Sequence, residues 1–215
     1  MVKIWDGPTR LCHWSLVALF GLSWWSGVQG GLAFGYHQWS GYGILCLLLF
    51  RLAWGVVGGE YARFAQFVCG PRRVLAVARA LLSRAPLAQA GHNPLGGWMV
   101  VALLLGLAIQ TTTGLFANDD LMNEGPLMAK VGKELSDTLS AIHTFNFAVL
   151  LSLVSLHILA IVYHRLRKGE HLTRAMITGQ RELLDGPLAV RTASPWLAAV
   201  LLATSAGIVA LLVNL

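Results

Sequence analysis

Seven histidines stand in this chain, and five of them, His13, His37, His143, His157 and His164, lie in or at the edge of long apolar runs. An ionisable ring in an apolar run is costly and marks a functional site by default. The chemistry open to such rings is metal or haem ligation, proton relay, or hydrogen bonding between helices. Spacing narrows the choice. His143 and His157 are 14 positions apart, which on a helix is about 21 Å of rise and only about 40° of rotation. One helix face therefore carries two imidazoles at two depths. His37 and Arg51 repeat the same spacing.

Positioning these rings requires membrane-spanning helices. The chain has 215 residues, 56% hydrophobic and 12% charged, with a mean hydropathy of +0.63. Soluble domains carry about 25% charge, so this composition belongs to the membrane class and excludes a disordered, collagen-like or secreted disulfide-rich chain. A crossing helix needs about 20 apolar residues. Five stretches qualify: 11–28, 37–57, 95–116, 142–163 and 195–213. The first carries His13, Trp14, Trp24 and Trp25 with no small-residue cleavage site after it, so it reads as a retained helix and not a signal peptide. Asp6 and Asn93, each followed closely by proline, are expected N-caps. Tryptophans 14, 39, 54, 98 and 196 are expected as interface anchors. Residues 72–82 alternate arginine with apolar residues at helical spacing, as in a helix lying on a membrane surface. Cys12, Cys46 and Cys69 form no CxxC or CxxCH motif, which excludes a disulfide framework, a zinc knuckle and covalently attached haem.

The net charge of +6 reports topology, not a nucleic-acid partner. Fourteen of the sixteen Lys and Arg fall in the N-terminal segment, the second-to-third connection and the segment after the fourth span. The first-to-second connection has none, and residues 119–137 set Asp119, Asp120, Glu124, Glu134 and Asp137 against Lys130 and Lys133. The positive-inside rule then places the N-terminus in the cytoplasm and the C-terminus, after five spans, outside.

This topology pairs the histidines by depth, independently of their spacing. His37 and His143 fall near the outer face, and His13 and His157 nearer the inner face. Taken singly, each ring reads as an interhelical hydrogen-bonding residue. Four rings matched in depth and face are what two bis-histidine b-type haems would require. A proton relay would bring acids into the spans, and there are none. The two pairs lie too far apart to form one zinc site.

Other residues fit around this frame. His164 reads as a polar end residue and is the alternative to His157 as ligand; His92 and His171 read as inner-surface residues, and His92 is in reach of a propionate or quinone. Arg51 is expected to face the bundle beside the inner haem and pair with a propionate, or else to snorkel to the surface. Gly41 and Gly21, one and two turns from His37 and His13, would let a flat macrocycle approach the backbone. The polar run Gln110, Thr111, Thr112, Thr113 is a candidate hydrogen-bonding group for the outer haem, a quinone or a neighbouring helix.

Several segments resemble the bacterial cytochrome b561 and nickel–iron hydrogenase b-type cytochrome family. They are VKIWDGPTRLCHW at 2–14, HQWSGY at 37–42, LLFRLAWG at 48–55, GHNPL at 91–95, His143 and His157 at their spacing, and RAMITG at 174–179. The resemblance runs over about residues 2–180. It implies an all-α integral membrane fold: a four-helix haem-binding bundle in residues 1–180, followed by a linker and a fifth C-terminal transmembrane helix in 181–215. It implies two haem b groups, with His13 and His157 on the inner iron and His37 and His143 on the outer. The implied role is electron relay in the bacterial inner membrane between the quinone pool and a periplasmic partner, a c-type cytochrome or hydrogenase-like complex. A stand-alone superoxide:ubiquinone oxidoreductase is the alternative, and a haem-free membrane anchor or transporter is the non-redox one. The acidic 119–137 loop favours a protein partner over a small anionic substrate.

Overall fold

The computed structural model describes residues 2–81, 93–121, 123–181 and 192–215. Its long helices are α1 (Gly7–Gln29), α2 (Phe34–Val57), α5 (Pro94–Gly114), α6 (Lys133–Lys168) and α8 (Pro195–Val213). All five are long and apolar enough to cross a bilayer. Short helices α3 (Phe64–Phe67), α4 (Pro71–Leu81) and α7 (Leu172–Thr178) lie between them, and a two-residue ribbon pairs β1 (Val2–Lys3) with β2 (Gln180–Arg181). The protein is an all-α membrane bundle.

Helix ends follow their local signals. The Asp6 carboxylate accepts the Thr9 N–H, and the Asn93 side chain accepts that of Gly96, so both expected N-caps form. α6 exceeds its apolar core 142–163 at both ends, because neither proline nor glycine interrupts the chain between Gly132 and Gly169. Gly169, in the left-handed region at φ 68°, closes it. Residues 72–81 are helical as expected, while Leu82, Arg84, His92 and Arg191 lie outside the described residues.

α1 packs on α2, α2 on α5, and α5 on α6. α6 meets α1 mainly through rings: Phe147 lies 6.3 Å from Phe20 and 6.1 Å from Trp24, centroid to centroid. α8 packs on α2. It touches the face that carries Cys46 and Phe50, nine and thirteen positions from His37 and hence about 180° and 220° around the helix, which leaves the histidine face free.

The end of the bundle that holds the N-terminus, called the near end, is latched. The backbone N–H groups of Ile4 and Trp5 both donate to the Gly179 carbonyl, at 2.8 and 3.2 Å. Arg10 donates to the Ile177 carbonyl, and Trp14 Nε1 to that of Met176 at 3.3 Å. Trp54 departs from its expected place at the interface. It is fully buried, with Nε1 donating to Asp6 at 3.1 Å, so it ties α2 to the start of α1.

Candidate functional site

The four histidines meet in two pairs. At the far end His37 of α2 faces His143 of α6, with ring centroids 6.1 Å apart and planes at 74°. At the near end His13 of α1 faces His157 of α6 at 6.5 Å and 55°. All four rings are half-buried. His164 joins neither pair. It is buried with Nδ1 3.1 Å from Glu170, which also takes Arg181 at 3.0 Å, so it is a structural hydrogen-bonding residue at the helix end.

The far pair is held at Nδ1. His37 Nδ1 lies 2.8 Å from the Ser23 carbonyl and 3.3 Å from the Ser23 hydroxyl. His143 Nδ1 lies 3.0 Å from the Gln110 carbonyl and 3.3 Å from the Thr113 hydroxyl. A carbonyl only accepts, so Nδ1 carries the proton in each ring and Nε2 keeps its lone pair. Between the rings opens a cavity of about 380 Å³, lined by Phe20, Trp24, Gly41, Gln110 and Phe147 among others. A Cβ added at Gly41, which lines this cavity, would meet no atom within 4 Å.

At the near end the His13 Nδ1 is buried without a hydrogen-bond partner. Arg51 is 6% exposed, its guanidinium 5.0 Å over the Phe64 ring and its Nη1 unpartnered. It does not snorkel to the surface; α3 covers it. A cation–π contact leaves in-plane donors unused, and a buried donor without an acceptor is costly.

These geometries fit ligation of one metal ion between each pair. A metal–imidazole bond of about 2 Å on each side, plus about 1 Å from each nitrogen to its ring centre, gives about 6 Å between centroids. Both pairs match that span. Among the described residues, no three His, Cys, Asp or Glu side chains gather into one site, so the donors come in twos, the number that would hold one haem.

Four contributing residues escape a reading of the sequence: Ser23, Gly27, Gly114 and Asn146. Asn146 is buried one turn past His143 and donates to the Gly106 carbonyl at 2.9 Å and to Gln110 Oε1 at 2.7 Å, which fixes α6 against α5. Of the polar run on α5, Gln110 and Thr113 serve His143, while the Thr111 hydroxyl bonds back to its own helix at Leu107. The one available signal was positional, since Asn146 lies three residues past His143 and so shares its face.

The model of the prokaryotic cytochrome b561 family matches residues 4–179. A probable Ni/Fe-hydrogenase B-type cytochrome subunit of Bradyrhizobium diazoefficiens is 26% identical over 220 residues, covering 86% of this chain and 87% of that protein. No solved structure matches the chain. The family match takes in both imidazole pairs and ends where the near-end latch closes, and on it the chain belongs to the prokaryotic cytochrome b561 family.

Proposed function

We propose that this chain relays electrons across the bacterial inner membrane between the quinone pool and a periplasmic redox protein, with haem b held by each histidine pair. The observation that carries the reading is the stacking of two imidazole pairs on one face of α6, each at a metal-spanning separation. When bound, each haem supplies a one-electron couple at its iron. The protein's part would be to hold each haem through two imidazole nitrogens, His13 with His157 and His37 with His143. The rings of Phe20, Trp24 and Phe147 give the far site an apolar wall. The buried Arg51 offers its unpartnered donor to a propionate. The 14-residue step between His143 and His157 separates the sites by about 21 Å, most of a hydrocarbon core of about 30 Å. The basic near end is cytoplasmic on this reading, and the acidic 119–137 segment faces the periplasmic partner.

The test is haem counting on the purified protein. Two haems per chain are expected, both six-coordinate, with His143→Ala losing mainly one and His157→Ala mainly the other. Two full haems in either variant would overturn the ligand assignment. Rapid superoxide-driven quinone reduction by the isolated chain would shift the reading to a stand-alone oxidoreductase.

A further inference from the structure

The two far-end histidines are held by the same construction on two different helices. His37 reaches the carbonyl of Ser23, and Gly27 stands four residues on; His143 reaches the carbonyl of Gln110, and Gly114 stands four residues on. In a helix each Cα–Cβ bond tilts toward the N-terminus, so the side chain at i+4 lies over the carbonyl of residue i. That carbonyl already accepts the N–H of i+4, and the hydroxyls of Ser26 and Thr113 lie 3.3 and 3.1 Å from the Ser23 and Gln110 carbonyls but sit closer, at 2.7 Å, to those of Leu22 and Ile109, so the second lone pair is left for the imidazole. Glycine at i+4 uncovers it. A Cβ built on Gly27 would stand 2.8 Å from His37 Nδ1, and one built on Gly114 would stand 2.9 Å from His143 Cε1 and 3.2 Å from its Nδ1. Real Cβ atoms do not come so close, so alanine at either place displaces the imidazole. The near pair lacks this construction, because His13 Nδ1 is buried with no acceptor.

We infer that Gly27 and Gly114 are positioning residues that expose a helix carbonyl to each far-end histidine, and that the bonds they permit make the far pair the lower-potential of the two sites. The inference rests on the two-haem reading above. An imidazole whose Nδ1–H donates to a carbonyl is a more basic ligand. It favours the more positively charged ferric iron over the ferrous, and reduction becomes harder. Arg51, as a cation near the other pair, acts in the same direction, so variants at the glycines are needed to isolate the hydrogen bonds.

The experiment is an optical redox titration of the purified protein in nanodiscs, with transitions assigned through His143→Ala and His13→Ala. The far-pair transition is expected at the lower potential. Gly27→Ala and Gly114→Ala should each move it upward and leave the near-pair transition in place. Gly207→Ala on α8, where an added Cβ meets nothing within 4 Å, should move neither. Loss of the far haem alone in a glycine variant also supports the positioning role, and the order of potentials is then read from the unaltered protein. A far transition above the near one, an unmoved far transition in a fully loaded glycine variant, or equal movement of both would overturn the inference. Two haems with the wrong order defeat it alone, whereas fewer than two in the unaltered protein defeat the two-haem reading with it.

Discussion

Arg51 is the costliest side chain inside the apolar part of the fold, and Phe64 covers it without satisfying its Nη1. On the two-haem reading, Arg51→Leu should therefore lower the potential of the His13–His157 site and leave the other in place, because a buried cation at that end of the bundle favours the reduced, less positive state. Arg51→Lys should recover only part of the shift, since an ammonium lacks the planar fork; redox titration of both variants checks this. Asn146→Ala should cost about 1–2 kcal/mol of stability, as a buried hydrogen-bonded amide is removed. Thermal melts followed at the haem absorbance should show the far site released first. The four histidines and Arg51 were legible in the sequence because titratable side chains are rare in spans and their register is rigid. Ser23, Gly27, Gly114 and Asn146 were not, since small and polar residues are ordinary in membrane helices and their partners sit on other helices.

Element boundaries were legible wherever proline or a capping side chain marks them, as at Asp6 and Asn93, and helix α8 begins and ends at the expected residues. α6 was read too short, because hydropathy sees only its apolar middle; at 36 residues it is about 54 Å long and outreaches the hydrocarbon core. The placing of α8 on the back of α2 was not legible, since an evenly apolar helix shows no preferred face. That placement has a testable consequence at Ala198, buried against Phe50 and Trp54. Ala198→Phe should overpack this seam and cost about 1–3 kcal/mol, lowering the melting temperature while the haem-to-protein ratio and both potentials stay unchanged. A selective loss of either haem would show that α8 reaches the ligand face.

Across the whole molecule the charge is polarised, and at the far end one lysine already engages two of the acids. Lys133 pairs with both Asp120 and Asp137, while Asp119 accepts only from uncharged donors, the N–H groups of Leu121 and Asn123 and the Asn123 side-chain amide. Lys133→Gln should uncover two carboxylates and speed electron exchange with a basic c-type cytochrome at low salt. The gain should vanish as ionic strength rises and the Debye length shrinks below about 8 Å. Stopped-flow rates against salt test this, and an unchanged rate would place the partner elsewhere. The five-crossing architecture was legible from length, hydropathy and charge alone, whereas this internal neutralisation depends on how the loop folds back on α6. The architecture also sets an order of manufacture. Each histidine pair takes one member from α6, the last of the four crossings that carry the sites, and the near-end latch needs residues 177–179. On the two-haem reading, a chain still emerging from the ribosome has no complete histidine pair, so cofactor loading waits until the fourth crossing is in place. Both sites then become available together, and a nascent chain cannot be trapped with only one competent to accept its cofactor.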